Sequence, residues 1–142
     1  MFKIIIQFVF ISFLIFFNNC NCDYSKNIKL INIYYIDWDM ESPICVDCDN
    51  FNQYFIDVIN IITITDDSTC NSFLSKVNQI KSNDTINIIP DVRIKIEIIF
   101  TSGKSNFLCI GNNNVISIND EICVYDEAFI IYVKNMILNK SG

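Results

Sequence analysis

Cys45-Val46-Asp47-Cys48 is the one constellation in this chain whose residue types and spacing suit covalent chemistry. Two thiols in a C-x-x-C can close into a disulfide and reopen. A β-like run ends upstream at Tyr34-Tyr35, and an amphipathic helical pattern begins downstream at Phe51. In that order one sulfur stands near a helix N-terminus, where the dipole favours the reactive thiolate. Cys45 is then the attacking thiol, which forms a mixed disulfide with a substrate. Cys48 resolves it by attacking Cys45 and releasing the reduced product. Asp47 opposes thiolate formation, and no histidine stands by to favour it, because the chain has none.

The same four residues fit two other readings. One is a tight structural disulfide. The other is half of a zinc site, which wants a second close pair, and Cys109 and Cys123 are too far apart in sequence to make one. Cys109 and Cys123 bracket an irregular Asn-rich stretch. The preferred reading is a structural disulfide between them, closing a short loop and contributing roughly 3 kcal/mol on the chain-entropy model. Cys70 is left over, either as a buried thiol or as a handle for a homodimer.

The elements that must position these cysteines follow from hydrophobic period. Lys29 to Tyr35 alternates as a strand. Residues 36–44 read as an acidic loop with Asp37, Asp39 and Glu41, in which Trp38 serves as an anchor or, less simply, as a substrate contact. Phe51, Phe55, Val58, Ile59 and Ile62 fall on one helical face, and residues 63–69 read as a linker. A second helix is expected over residues 72–81, and a short strand over 86–89, stopped by Pro90. Arg93 to Phe100 alternates cleanly, turns at residues 101–104 and returns over 105–109 as a hairpin. A final helix covers about residues 126–138.

Residues 4–17 form an apolar run interrupted only by Gln7 and Ser12, after a basic Lys3. That is signal-peptide length, with Cys20 and Cys22 at the −3 and −1 positions of a cleavage before Asp23. The expected organisation is a signal peptide over 1–22 and one domain over 23–142, with no stable membrane insertion after cleavage. Without Lys3, 9 basic residues face 16 acidic ones, a net charge of −7, which disfavours nucleic-acid binding. The absence of histidine excludes Ser/His and Cys/His catalysis. Asn83 and Asn139 head N-glycosylation sequons.

These pieces together resemble the gamma-interferon-inducible lysosomal thiol reductases. The resemblance runs from about Ile31 to Glu127. It is carried by Ile33-Tyr34-Tyr35, Glu41-Ser42-Pro43-Ile44-Cys45-Val46-Asp47-Cys48, Phe51, Ile88-Ile89-Pro90, Phe107-Leu108-Cys109-Ile110-Gly111, Asn119 and Cys123-Val124-Tyr125-Asp126-Glu127. It implies an α/β thioredoxin-like sheet with the C-x-x-C at a helix N-terminus and a helical, disulfide-stapled insertion. The sequence ends at Gly142, ahead of the closing strands that family members carry. The implied activity is thiol–disulfide oxidoreduction through Cys45 and Cys48 in a secretory, lysosomal or endosomal lumen. It needs a disulfide-containing protein substrate and an external thiol reductant, and no bound cofactor. The rivals are a non-catalytic secreted glycoprotein of the same descent, and a binding domain held by disulfides. Bonding of Cys45 or Cys48 to Cys70, Cys109 or Cys123 favours the last.

Overall fold

The computed structural model describes residues 27–80, 88–119 and 121–141, and the side chains of all of these except 121–123 and 141. The expected signal peptide over 1–22, the sequon at Asn83 and the first two residues of the expected strand over 86–89 lie outside the described residues, and Ile88 and Ile89 are exposed and belong to no strand.

The chain is a mixed α/β domain built on an open six-stranded sheet. In chain order the elements are β1 (Ile28–Tyr35), α1 (Phe51–Tyr54), β2 (Asn60–Ile64), α2 (Asp67–Val77), β3 (Val92–Phe100), β4 (Ser105–Gly111), β5 (Val115–Ile118), β6 (Glu121–Tyr125) and α3 (Glu127–Ser141). The strand order is β2-β1-β3-β4-β5-β6, and every neighbouring pair is antiparallel.

Alternation in β1 and β3 sends Ile31, Ile33, Ile94, Ile96 and Ile98 to one face. Leu108, Ile110 and Ile116 continue that face across β4 and β5. Two helices cover it. α2 contributes Phe73, Leu74 and Val77, and α3 contributes Phe129, Ile130 and Val133. Phe73 and Phe129 meet edge to face, with ring centres 5.8 Å apart, and so tie the two helices together. α2 begins at Asp66, whose carboxylate accepts the Thr69 N–H at 2.8 Å and satisfies an otherwise orphaned donor.

The helix expected from Phe51 to Ile62 is a single turn. Phe51 and Phe55 are buried as the pattern requires, but Val58 is exposed. The β-branched run Ile61-Ile62-Thr63-Ile64 pairs with β1 instead, Ile62 opposite Ile33 and Ile64 opposite Ile31. Strand pairing outcompetes the helical period there, because these residues pack better on a pleated surface. The expected linker over 63–69 is accordingly the end of β2 and the start of α2.

That change sets the topology. β2 starts at the end where β1 finished and runs back beside it, with Asn60 opposite Tyr35 and Ile64 opposite Ile31.

The meander after β3 is longer than expected. Asn114 (φ 60°) turns β4 into β5 and Asn119 (φ 49°) turns β5 into β6, left-handed positions that asparagine tolerates. Asn119 also accepts the Phe107 N–H on its side-chain oxygen and donates its own N–H to the Phe107 carbonyl, both at 2.8 Å. The stretch that reads as irregular is thus a tight turn between two strands.

Candidate functional site: the stapled cysteine loop

Residues 36–59 connect β1 to β2, and apart from Trp38, which packs against the main core, they fold over one end of the sheet face opposite the helices. Ile36, Val46, Cys48, Phe51 and Phe55 pack there with Val92 and Cys109 in a second, smaller core. The loop is fastened at three points. The Val92 N–H donates to the Val46 carbonyl at 2.8 Å, and the Val46 N–H donates to Asp91 Oδ1 at 3.0 Å. Lys95 Nζ reaches across from β3 and donates to the Cys48 carbonyl at 2.9 Å. The third fastening is covalent: Cys48 is disulfide-bonded to Cys109 of β4, with Cα atoms 5.7 Å apart. Both cysteines are buried.

This pairing replaces the expected Cys109–Cys123 bridge, and the register explains why. Lys95, Cys109, Ser117 and Cys123 are successive partners across β3, β4, β5 and β6. Ser117 therefore stands between the two cysteines, which puts them two strand spacings, about 9.5 Å, apart. A disulfide needs Cα atoms within about 7 Å. Cys109 lies on the face opposite Leu108 and Ile110, under the loop, and there it meets Cys48.

Cys45 is exposed and carries a free thiol. Its Sγ lies 3.9 Å from the Pro90 carbonyl, a long, weak contact. Partial burial, and then the carboxylates of Asp91 and Asp47, push the thiol above its ordinary pKa, with Arg93 pulling the other way. α1 begins three residues after Cys48 and lasts one turn, so neither cysteine occupies the N-terminus of a substantial helix. The thiolate-favouring dipole expected from the sequence is missing, while the opposition expected from Asp47 is present.

Asp91 organises the ground beneath Cys45. Besides the Val46 N–H it accepts Arg93 Nη2 at 2.8 Å and Asn112 Nδ2 at 3.1 Å. Arg93, the chain's one arginine, is 2 % exposed, and Nη1 donates to the Val92 carbonyl at 3.1 Å. Gly111 permits this crowding. A Cβ there would stand 2.8 Å from Pro90 Cβ and 3.0 Å from the Asp91 nitrogen.

A cavity of about 450 Å³ opens beside the thiol, lined by Ile44, Cys45, Asp47, Asn50, Gln53 and Tyr54. Ile44, Tyr54, Ile56 and Val58 are all exposed, so the loop that carries Cys45 also carries an apolar outer surface.

The remaining sequence-predicted positions fall elsewhere. Cys70 is buried in α2, with Sγ 3.7 Å from the Ile64 carbonyl. Burial raises its pKa first, with Asp66 and Asp67 adding to the effect. Asn139 is exposed near the end of α3. Cys123 is placed by backbone register alone. Among the described residues no three cysteine or carboxylate side chains gather as a metal would require. No helix among them is long and apolar enough to cross a membrane.

Asp91, Arg93 and Lys95 are the participants that sequence reasoning missed. A signal exists for two of them: a basic residue at both Arg93 and Lys95 interrupts a strand whose other positions are mostly apolar. Compared with known protein families, curated proteins and solved structures, the chain matches none.

Proposed function

We propose that this chain is a secreted binding domain held by a disulfide, and that the stapled loop over residues 36–59 is the surface it offers to a partner. The observation that carries this reading is the Cys48–Cys109 bond. It joins two buried sulfurs and commits the second cysteine of the C-x-x-C to fixing the loop. The apolar exposure of Ile44, Tyr54, Ile56 and Val58 on that loop is the kind of surface a partner covers.

A second reading keeps the resemblance to the thiol reductases, and with it thioredoxin-like ancestry and thiol–disulfide oxidoreduction in a secretory or lysosomal lumen. It is favoured by one observation: Cys45 is free and exposed, three residues from a bonded cysteine and beside a cavity. Reduction of Cys48–Cys109 by an external thiol would restore a Cys45/Cys48 dithiol there.

One experiment separates them. The purified secreted protein is assayed for reduction of a protein disulfide by an external thiol at pH about 4.5 and about 7, beside Cys45→Ser. The binding reading expects both proteins to match the rate of the thiol alone, and non-reducing peptide mapping to recover Cys48 linked to Cys109. Turnover by the wild type that Cys45→Ser loses would establish the reductase reading instead.

A further inference from the structure

A second cavity, of about 360 Å³, lies on the helix-covered side of the sheet, where β1 ends beneath α3. Its walls include Tyr35, Ile36, Trp38, Ile94 and Ile137, and among the described residues Lys134 is its one lining cation and Asp37 its one lining carboxylate. The volume falls at the lower end of small-molecule sites, which run from about 300 to 1,000 Å³ and combine apolar walls with a few polar groups. Trp38 packs against the main core, so this wall is anchored.

Lys134 is unusual in this setting. Its ammonium lies 3.3 Å from the centre of the Trp38 ring, a cation–π contact. Among the described residues it makes no ion pair within 4 Å. The carboxylates nearest in sequence to Trp38 are otherwise placed: Asp37 lines the cavity but its Oδ1 accepts the Asp39 N–H at 3.1 Å, and Asp39 acts on Lys134 only through longer-range attraction. Burial lowers the Lys134 pKa, and Asp39 partly offsets that. Among the described residues no carboxylate lies within ion-pair distance of this partly exposed ammonium, which stands over an indole at the edge of a mostly apolar space.

We propose that this cavity binds a small organic monocarboxylate with an apolar body, its carboxylate meeting Lys134 and its body lying against Trp38, Ile94 and Ile137. A neutral molecule of the same shape would gain the apolar contacts and forgo the charge. An inorganic anion would gain the charge and leave the walls wet. A dianion would meet Asp37 and Asp39 with its second charge. The site is independent of whatever Cys45 does.

Trp38 is the chain's only tryptophan, so emission excited at wavelengths beyond the tyrosine band reports on this cavity. The full-length secreted protein is titrated with octanoate, 3-phenylpropionate and octanamide while Trp38 emission is followed. At least one carboxylate should give a saturable change, with octanamide binding roughly tenfold or more weakly than octanoate. Lys134→Met should weaken octanoate by a similar factor and bring it level with octanamide, while Lys134→Arg should keep the preference. The octanoate-to-octanamide ratio on wild-type protein needs no variant and stands even if Lys134→Met folds poorly. No saturable response to either carboxylate up to about 5 mM, equal affinity for octanoate and octanamide, or unchanged octanoate affinity in folded Lys134→Met would each overturn the proposal.

Discussion

Replacing both Cys48 and Cys109 by alanine should cost the protein about 4 kcal/mol without dissolving its main fold. The bond closes a loop with a sequence separation of 61 residues. The chain-entropy relation gives roughly 14 cal/mol/K for a loop of that size, or about 4 kcal/mol at 25 °C. Small domains have about 5–15 kcal/mol of stability in total, so this is a large share. At a urea dependence of about 1–3 kcal/mol per molar, the midpoint should fall by about 2 M.

The loss should be unevenly distributed. The main core, with Ile31, Ile33, Ile96, Phe73 and Val133, contains neither bonded cysteine, whereas the smaller core contains both. Hydrogen exchange should therefore speed most in the loop over 46–55 and least in β1 and β3. Wild-type protein held reduced by an excess of small-molecule dithiol supplies a control that keeps the cysteine side chains. A double variant that loses less than about 1 kcal/mol, or that keeps native protection at Val46 and Phe55, would falsify the staple.

Other expectations rest on single side chains. Asp91→Ala strands the buried Arg93 guanidinium and unfastens Val46 together, so urea unfolding should show a loss of about 3 kcal/mol; Arg93→Met, which removes the charge itself, should cost less, and the reverse order would refute the arrangement. Alkylation of Cys45 by iodoacetamide should follow a pH profile whose inflection lies above that of a free thiol, with Asp47→Asn moving it down, because burial and the two carboxylates raise its pKa; an inflection at or below the free-thiol value contradicts this. Hydrogen bonds from Thr69 and Ser68 hold the Asp66 carboxyl below its ordinary pKa. A depressed folded-state pKa contributes stability above the unfolded carboxylate pKa and loses it as pH falls through the folded value. Asp66→Ala should therefore destabilise more at pH 7 than at pH 2, as read by thermal melts, while Asp66→Asn keeps the cap and flattens the pH dependence.

Legibility in the sequence followed the strength of the local period. β1, β3 and the hairpin to β4 stood out because Ile31, Ile33, Ile94, Ile96 and Ile98 alternate with polar neighbours over a one-sided sheet. α2 and α3 were visible for the same reason, in Phe73, Leu74 and Val77 and in Phe129, Ile130 and Val133. The segment from Phe51 to Ile64 was not, because it satisfies two periods. Phe51 and Phe55 sit one helical turn apart, while Ile62 and Ile64 alternate, and only the presence of β1 decides between them. The Cys48–Cys109 bond was hidden behind that ambiguity. Its partner choice depends on which face of β4 carries Cys109 and on where the loop lands, and both are settled by long-range pairing that one sequence does not display. Asp91 and Arg93 were missed because their importance lies in what they touch and not in any spacing.

The loop's length bears on its role. Residues 36–59 make a 24-residue connection containing one helical turn. Connections beyond about 12–15 residues are uncommon in compact domains unless they carry function or remain disordered. Here the loop is neither short nor loose. One disulfide, a backbone hydrogen bond from Val92 to the Val46 carbonyl, a hydrogen bond from the Val46 N–H to the Asp91 carboxylate and a lysine reaching from β3 hold it against the sheet. Antiparallel strands can be joined by two residues, so geometry alone does not require a connection of this size. Much of it also remains uncovered, because Ile44, Tyr54, Ile56 and Val58 face outward while Val46, Phe51 and Phe55 face in. A segment that is longer than the topology needs, ordered at an entropic cost the disulfide offsets, and apolar on its outer side has the properties of a presented surface. A catalytic C-x-x-C would ask for the opposite arrangement: both sulfurs released to each other, with a long helix behind them.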